Sequence, residues 1–473
     1  MQERKMNLEE IINTSIDEIK QKMLTICEKE YNMSLDFESA TGFVGKMKDL
    51  LSHLGCQVVK GYFESRDSQV QSIIRDEKRY LYKGKSNKEI VTSLGRINIS
   101  RKYYQHRSGG NSIFPLDEKL GVNHEMIMPD VKEILLYSSA FNTPEESSRM
   151  LSKCSLFTLH PTQIKRTVTN ANDFMETNGA KIMDKVREKE KALDADIIAC
   201  SLDGVNVLLN QNGNKKGRPT ERPVREQASS SSYKNVMCGS IARYKTIQEK
   251  GIKVPKRTST RYIARMPEDR YLTFKHEFEK ELQHFGPLCN VTKLVITDAH
   301  KSITGYLKDN PVFKSYHRII DFFHAAEHLS HAAEALHGKN ASFATKWYNK
   351  YRAILKHDMD GVMKLIRSIE YYQKNSTLDK SRRKQANKHL GYFKKHKKYM
   401  NYAYYLENGW PIGSGVIEAA CKSVVKQRMC RSGQRWSIKG GQAVLNLRAT
   451  VKSNRWDSFW NQYSNSFYNK IIA

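Results

Sequence analysis

The sequence predicts an α/β core that is interrupted by a helical insertion and preceded by a mainly helical region. Three observations support this class. Five short apolar or alternating runs, each typical of a strand, cluster between residues 196 and 323. A helical stretch at residues 331–408 then breaks the alternation of strands and helices. An amphipathic helix that begins near Gly415 resumes the core pattern.

Composition points to a polyanionic partner. The chain has 473 residues and carries 79 Lys and Arg against 50 Asp and Glu, a formal net charge of +29. This length is enough for about two to four domains. Because phosphates neutralised by basic side chains release counterions, nucleic acid is the expected partner. The alternative is a basic protein that its charge keeps soluble.

The chain is expected to be a soluble, cytoplasmic protein. No apolar run approaches the ~20 residues that a membrane helix needs, and no hydrophobic signal region follows Met1–Lys5. The 8 cysteines are scattered without a CxxC pair. That distribution is typical of free thiols in a reducing compartment, rather than of disulfides or a structural zinc site.

Residues 1–87 are predicted to be helical. Their first helix carries an apolar stripe at helical spacing. A dimer seam and a domain core both explain this stripe. Its members are Leu8, Ile11, Ile12, Ile16, Ile19, Met23 and Ile26.

Residues 88–125 are predicted to form a β-hairpin module. Ile97 and Ile99 alternate with polar residues, as in a half-buried strand, and Leu94–Gly95 supplies the turn.

Residues 126–194 are predicted to be helical again. A cap and an acidic first turn begin one helix at Thr143, and another begins at Pro161. Two helices so joined are typical of a DNA-binding helix-turn-helix, in which Lys165 and Arg166 would contact DNA. An ordinary helical hairpin explains the pattern equally well.

The α/β core begins in residues 195–330. Strands are predicted at 196–209, 233–244, 261–266, 291–297 and 318–323, and a helix at 271–285. The first strand carries Asp203, and the fourth ends directly before Asp298. Between the first two strands, residues 210–232 predict a flexible basic loop. Its cations are Lys215, Lys216, Arg218, Arg222 and Arg225.

Residues 331–408 are predicted to form a basic helical insertion. They contain 17 Lys and Arg against 6 Asp and Glu, a net charge of +11. Tyrosines interleave with their densest basic run, which is typical of a surface that clamps a DNA backbone; a solvated helix face is the alternative. The run comprises Lys394, Lys395, Lys397 and Lys398. Residues 409–452 return to the core, and 453–473 are expected to be a C-terminal tail.

Glu418 is the least expected residue of the last core helix. It lies beside Ile417 and Ala420 on an apolar face, where an unpaired carboxylate is costly. Together with Asp203 and Asp298 it would supply carboxylates from separate elements that only the fold can bring together. Two magnesium ions shared by such carboxylates, or manganese in their place, promote phosphodiester cleavage. Each acid taken alone is more simply explained by a structural role.

A set of short segments is shared with a known family. They are Ser201–Gly204, Arg265–Glu268, Thr297–His300, Asp321–His324, Pro411–Lys422, Lys426–Met429 and Ser432–Trp436, with the Gly95 hairpin, Tyr103–Tyr104 and Phe114–Asp117. In these segments the chain resembles the DDE transposases of bacterial insertion sequences, close to the Kra group. The resemblance extends over roughly residues 88–450, and the segment from Pro411 is its most specific part.

This resemblance implies a ribonuclease-H-like catalytic core with a mixed five-stranded sheet and an all-helical insertion. It implies metal-dependent cleavage at transposon ends and strand transfer into target DNA. Asp203, Asp298 and Glu418 would be the catalytic triad and would hold two Mg²⁺ ions. The partners would be the terminal inverted repeats and target DNA. The protein would associate with the nucleoid, and it would be at least dimeric when bound to DNA. A non-catalytic DNA-binding protein derived from such an enzyme and a structure-specific nuclease remain as alternatives.

Further residues are candidates for auxiliary roles. Asp321 and His324 follow the fifth strand and are placed to act on the scissile phosphate or a metal-bound water, although Asp321 could simply cap a helix. His328 and His331 have a spacing that suits metal, but surface histidines are the simpler reading.

DNA contacts are expected beside Glu418. Basic residues after it form a track that suits phosphates, and salt bridging to Glu418 is the alternative. Trp436 could stack on an unpaired terminal base, as could Trp410, but core packing is the simpler explanation for at least one of them. The basic residues are Lys422, Lys426, Arg428, Arg431 and Arg435.

Overall fold

The computed structural model describes residues 8–123, 125–190, 194–210, 233–285 and 291–472. The chain divides into two compact units, one of Met1–Val186 with Asp457–Ala473 and the other of Arg187–Trp456. The cations of the predicted basic loop, Lys215, Lys216, Arg218, Arg222 and Arg225, lie outside the described residues. In the described part of the chain, no helix combines the length and the apolar character that a bilayer crossing requires.

The first unit starts with two long helices and a small antiparallel sheet. The elements are α1 (Leu8–Tyr31), α2 (Phe37–Ser65), β1 (Ser72–Arg75), β2 (Lys78–Thr92) and β3 (Gly95–His106), with sheet order β1-β2-β3. The prediction of helix up to residue 87 is therefore wrong beyond Ser65. Asp76 and Glu77 both have positive φ, 50° and 61°. That backbone forms a tight two-residue hairpin turn whose twist matches the strands.

The apolar stripe of α1 is only partly covered. Ile19 is buried, whereas Ile16 is exposed. Helix α2 packs against α1, so one edge of the stripe contributes to the core of this unit and the other faces outward.

The hairpin turn at residues 93–94 is confirmed, because β2 pairs with β3 as far as Thr92 and Gly95. Helices α3 (Pro115–Leu120), α4 (Pro129–Ser139), α5 (Pro144–Cys154) and α6 (Pro161–Glu188) follow. The predicted start of α5 is confirmed in detail. The Thr143 hydroxyl accepts from Glu146 N at 3.1 Å, and Thr143 N donates to the Glu146 carboxylate at 2.8 Å.

The segment expected as a C-terminal tail is instead a helix, Trp456–Ile472. Its rings pack on α6, where the Phe174 ring lies 5.4 Å from Tyr463 and 4.9 Å from Phe467. The Lys132 ammonium lies 3.7 Å from the centre of the Phe467 ring. Burial of these aromatic rings explains why the segment is ordered as a helix in the first unit.

The second unit is built on a mixed five-stranded sheet, as predicted. Its strands are β4 (Ile197–Leu208), β5 (Tyr233–Glu249), β6 (Ile252–Arg265), β7 (Thr292–Thr297) and β8 (His317–Ile320), in the order β6-β5-β4-β7-β8. Strands β4, β5 and β6 pair antiparallel, whereas β7 and β8 run parallel to β4. The parallel half therefore brings the carboxyl ends of three strands to one edge.

Helices cover both faces of this sheet. On one face, α7 (Leu272–Phe285) buries Phe274 and Phe278 against Ile198 and Ile241, with α8 (Lys301–Asp309) beside it. On the other face lies α9 (Phe322–His337), which starts the insertion. The insertion continues with α10 (Ser342–His357), α11 (Gly361–Asn375), α12 (Lys380–His396) and α13 (Tyr402–Glu407). The predicted helical insertion is thus present, and its predicted boundary at residue 331 falls inside α9.

The chain returns to the core through α14 (Gly415–Ala420), a π-helical segment (Cys421–Lys426), α15 (Gln427–Met429) and α16 (Ile438–Lys452). The predicted apolar face is buried, with Ile417 and Val424 packed against Val205 and Val236. The amphipathic helix predicted from Gly415 is present, but a π turn interrupts it after Ala420. Arg448 donates to the carbonyls of Val424, at 2.6 Å, and of Ser423, which satisfies acceptors that this turn displaces.

Histidines of α9 and α12 form a cluster inside the insertion. His328 Nδ1 lies 3.0 Å from His389 Nδ1, and the His328 ring stacks on Tyr392 at 3.6 Å. Burial, reinforced by neighbouring positive charges, lowers the pKa of His328 to about 3 and that of His389 to about 4. The surface interpretation holds for His331, whose side chain is 58% exposed, but is wrong for His328.

This cluster predicts a loss of stability in mild acid. An unfolded histidine titrates near 6.5 and folded His389 near 4, so between these values the unfolded state binds the extra proton. Stability is therefore lost as pH falls below about 6.5, and His389 alone accounts for about 2 kcal/mol at pH 5. We expect the free energy of unfolding, measured with denaturant at pH 7.5 and pH 5.0, to change less between the two pH values in His389→Gln than in the native protein.

The matched control is His276→Gln, which changes an exposed histidine on α7. It should keep the full pH dependence of the native protein. Equal pH dependence of His389→Gln and the native protein would contradict the assignment.

Candidate active site

Three aspartates form a row across the parallel half of the sheet, with Asp203 inside β4, Asp298 directly after β7 and Asp321 directly after β8. The register of β4 with β7 runs from Ile197 beside Thr292 to Cys200 beside Val295. Continued by three residues, it puts Asp203 beside Asp298. The register of β7 with β8 pairs Thr297 with Ile320, so its next step puts Asp298 beside Asp321. The row follows from strand registers alone.

Backbone amides hold one oxygen of each aspartate in this row. The three bonds join Gly204 N to Asp203 Oδ1 at 2.6 Å, His300 N to Asp298 Oδ1 at 2.9 Å, and Phe323 N to Asp321 Oδ1 at 3.0 Å. Ala299 has φ +69°, a left-handed conformation that costs about 1 kcal/mol for a residue with a side chain. It lies in the turn that brings His300 N back to Asp298, so the strain is located at the row.

Asp321 also connects the row to the helix that carries Glu418. Its carboxylate is 3% exposed and accepts from Ser414 N at 3.2 Å and from the Ser414 hydroxyl at 2.7 Å. The same hydroxyl lies 3.4 Å from Glu418 Oε1. Asp321 does cap α9, as the simpler interpretation held, but it also positions the turn from which Glu418 extends.

The predicted acids line one cavity of about 560 Å³, and Asp321 and His324 line it with them. Asp203 and Asp298 are half-buried there, whereas Glu418 is exposed. Within the described ranges, none of these four carboxylates forms a salt bridge with Lys, Arg or His. Four converging acids without a bonded cation repel one another, and this favours uptake of a cation from solvent.

The donor set is all oxygen, which suits Mg²⁺ and Mn²⁺. Across the described residues, no three His, Cys, Asp or Glu side chains stand close enough to hold one ion together. Mg²⁺ usually takes one or two carboxylates and completes its shell with water and substrate phosphate. Two carboxylates of this cavity would therefore be enough for one ion, and three around one ion are not needed.

Three features of the site were missed by the sequence analysis. Ser414 stood in a visible Gly-Ser-Gly turn, but its partner Asp321 is 93 residues away. Burial raises the pKa of Tyr392, and the charges of Asp298 and Asp321 raise it further, which places this ring beside the acids. Arg352 of α10 also lines the cavity, and no local pattern distinguishes it from other basic residues.

The thiol of Cys421 contacts the carboxylate of Asp203. Its Sγ lies 3.5 Å from Asp203 Oδ2. A hydrogen bond with Cys238, followed by burial and the charge of Asp203, raises the pKa of the Cys421 thiol. The thiol therefore stays protonated and acts as a weak donor to the carboxylate.

The predicted DNA-contacting residues after Glu418 divide into two groups. Lys422, Lys426 and Arg435 are exposed, and Arg431 is half-buried. Arg428 is 4% exposed and its guanidinium lies 4.9 Å from the Trp436 ring centre, which corrects its assignment as a phosphate contact.

The two tryptophans serve packing in this structure. Trp436 donates its indole N–H to Met429 O at 3.0 Å and has Arg428 on its ring. Trp410 is buried and stacks on Tyr405 at 5.7 Å. Arg428 covers one face of the half-buried Trp436 ring, and Trp410 is enclosed in the core.

The lysines of the insertion differ in their surroundings. Lys394 pairs with Glu370 at 2.6 Å, whereas Lys395 and Lys398 line a second cavity and Lys397 is exposed. In the first unit, Lys165 and Arg166 are exposed on the second turn of α6.

Comparison with known proteins finds a match in the N-terminal third of the chain. Residues 36–192 match UPF0236, which is described as an uncharacterised protein family. This region ends before β4 and contains none of the cavity residues.

The similar curated proteins are UPF0236 proteins of Caldanaerobacter subterraneus subsp. tengcongensis. One is 28% identical over 153 residues, which is 32% of this chain and 31% of that protein, and its name joins eleven locus labels. A second is 25% identical over 152 residues, again 32% of this chain and 31% of that protein. The chain thus matches about a third of the length of these relatives.

Among solved structures, the Drosophila P element transposase strand transfer complex is similar, with a TM-score of 0.27 and 11% sequence identity. The alignment covers 74% of this chain and 83% of that chain. A TM-score of this size does not establish a shared fold.

The hydrogen bonds of Asp321 predict a large effect on stability. Asp321→Ala would leave the amides of Phe323 and Ser414 and the Ser414 hydroxyl without this acceptor, at a cost of about 3 kcal/mol. Asp321→Asn retains one carbonyl oxygen and should cost less. Denaturant unfolding followed by tryptophan fluorescence measures both.

Asp309→Ala, at an exposed position that ends α8, is the control and should change stability little. Native-like stability of Asp321→Ala would show that the Ser414 turn is held by other contacts.

Proposed function

We propose that this protein is a DNA transposase of the DDE type, which cleaves DNA at the ends of a mobile element and joins them to target DNA. The observation that carries the proposal is the convergence of Asp203, Asp298 and Glu418 on one cavity. Their elements are separated in sequence, and among the described residues no salt bridge pairs with any of the three acids. The net charge of +29 supplies the attraction to DNA that such a reaction needs.

We further propose that the second unit is ribonuclease-H-like. The support is the strand order β6-β5-β4-β7-β8, with three antiparallel strands followed by two parallel ones. Asp203 lies within β4, Asp298 directly follows β7, and the helical insertion separates β8 from the helix that carries Glu418.

In this proposal Asp203 and Asp298 share one Mg²⁺ ion, and Glu418 completes the site of a second. The two ions supply activation of the attacking oxygen and stabilisation of the leaving oxygen. The chain itself orients the acids: backbone amides fix one oxygen of each aspartate, and Ser414 holds Glu418 near Asp321. Arg352 contributes positive charge at the cavity wall where a phosphodiester would bind.

The relatives add independent support for a mobile element. The name of one UPF0236 protein joins eleven locus labels of one genome, and another joins four. Many copies in one genome are what a self-copying element produces. A transposase acts on chromosomal DNA and must bring two ends together, so we propose at least a dimer on DNA.

The triad is tested by amide substitutions that keep side-chain size. Asp203→Asn, Asp298→Asn and Glu418→Gln should each reduce Mg²⁺-dependent cleavage of DNA that carries both flanks of the gene by at least about 100-fold, or ~3 kcal/mol. DNA binding should persist, and EDTA should abolish cleavage. Glu407→Gln, at an exposed acid outside the cavity, is the control.

Full cleavage by Asp298→Asn in magnesium would refute the triad. The products distinguish the remaining functions. Joined DNA supports a transposase, cleavage without joining supports a nuclease on the same fold, and binding without cleavage supports a DNA-binding protein.

Exposed lysines beside Glu418 are expected to contact phosphates. Lys422→Ala and Lys426→Ala should each weaken binding and reduce the slope of log K against log salt by about 1. Lys339→Ala, at an exposed lysine between α9 and α10, should leave that slope unchanged. Fluorescence anisotropy with a labelled duplex at several salt concentrations provides the measurement. Unchanged slopes for both variants would place the DNA path elsewhere.

A further inference from the structure

A second cavity, of about 610 Å³, lies on the other side of the β8 region and combines cations with aromatic rings. Its cations come from three separate elements: Lys308 from α8, Arg318 from β8, and Lys395 and Lys398 from the end of the insertion. Its volume falls in the range of ~300–1,000 Å³ that small-molecule sites occupy, so it accommodates one nucleotide.

Tyrosine rings form one wall of this cavity. The Arg318 guanidinium lies 4.7 Å from the centre of the Tyr399 ring, and the Lys398 ammonium lies 4.8 Å from it. Tyr404 is 44% exposed and meets the buried Trp410 edge to face at 5.7 Å. Trp410 thus supports Tyr404 from inside and leaves much of the tyrosine ring accessible. Accessible tyrosines beside cations are the chemistry that binds unstacked bases and their phosphates.

Arg318 supplies a second, independent observation. Its Nη2 donates to the Thr304 hydroxyl at 2.8 Å. Its Nε is buried and has no hydrogen-bond partner among the described residues. Because this nitrogen is closed off from solvent, a ligand contacts Arg318 through the part of its half-buried side chain that lines the cavity. The positive charge of Arg318 at the cavity wall favours an anionic ligand.

One tyrosine links this cavity to the acids. Tyr392 lies close enough to Asp298 and Asp321 to be affected by their charge, and its ring is 5.1 Å from His396, which lines the second cavity. Arg318 and Asp321 are three residues apart along one strand end, roughly 10 Å at the rise of a strand. A DNA strand whose phosphate reaches the acids can therefore bring a nearby nucleotide to this cavity.

We propose that the second cavity receives an unpaired nucleotide of the DNA substrate, extruded close to the scissile phosphate. The base stacks on Tyr404, and its phosphate binds between Arg318 and the lysines of the insertion. The nucleotide must be unpaired, because in a duplex both faces of each base are covered by neighbours. Cations spread over three elements suit a strand that passes through, rather than the compact phosphate loop of a free-nucleotide site. The proposal rests on the proposed function, because it takes DNA as the substrate.

The test compares two DNA probes by affinity and fluorescence. One is a blunt duplex, and the other carries a short 3′ overhang with 2-aminopurine, whose fluorescence is quenched on stacking. The native protein should quench the overhang and bind it more tightly than the blunt duplex. Tyr404→Ala should abolish the quenching and weaken overhang binding about tenfold, with blunt-duplex binding unchanged.

Tyr371→Ala is the matched control, since Tyr371 is 60% exposed on α11 and outside the cavity. It should keep both the quenching and the affinity. The proposal would be overturned if Tyr404→Ala weakened binding of the blunt duplex as much as binding of the overhang probe. Binding of free deoxynucleoside monophosphates that competes with the overhang at micromolar concentration would overturn it too, because the site would then take free nucleotides.

Neither readout requires cleavage, so the two proposals fail separately. Quenching that depends on Tyr404 in a protein that never cuts DNA would leave the cavity assignment standing and refute the transposase. Cleavage that depends on Asp298 without any Tyr404-dependent quenching would do the reverse.

Discussion

The buried carboxylate of Asp321 is the constraint on which the second unit depends. It accepts hydrogen bonds from Phe323 N, at the start of the insertion, and from Ser414, just after its end. Phe322 N also donates to Ile412 O at 2.9 Å, so the chain leaves and re-enters the core at one point. The entropy of closing a loop grows only slowly with its length, which lets a few well-satisfied bonds hold a long insertion. Glu418 reaches the aspartate row because this junction is closed.

A second buried charge holds the Glu418 helix against the sheet. Burial, and then the charge of Arg431, lowers the pKa of Arg448 to about 10, yet its guanidinium stays bonded to carbonyls of the π-helical segment. A π turn widens the helix by one residue per turn and displaces carbonyls, which a buried arginine can satisfy. The π segment starts three residues after Glu418, so it changes the direction of Lys422 and Lys426 relative to a regular helix. The position of Glu418 is therefore set by the α-helical turn that carries it, and the direction of Lys422 and Lys426 is set by the π-helical segment that follows.

The sequence predicted what depends on local pattern and missed what depends on distant partners. All five core strands were predicted, although β6 begins at Ile252 rather than at residue 261. The aspartates were predictable because an apolar run followed by Asp is a local signal. The hairpin at Asp76 and Glu77 was missed because its left-handed turn contains no glycine, and a glutamate such as Glu77 ordinarily avoids positive φ. The burial of Arg428 was missed because an arginine that stacks on a tryptophan looks the same in sequence as one that binds phosphate. The C-terminal helix was missed because its rings pack against Phe174, which is far away in the chain.

The insertion carries two different surfaces, and this division bears on how a DNA strand would lie. Its inner side is a packed layer in which His328, His389 and Tyr392 stay neutral near the acids. Its outer end presents Lys395 and Lys398 with tyrosines around the second cavity. Cations paired directly with the aspartates would neutralise them and weaken any metal site. Neutral rings between the acids and the lysines instead let one element support both a cation-binding cavity and a phosphate-binding one.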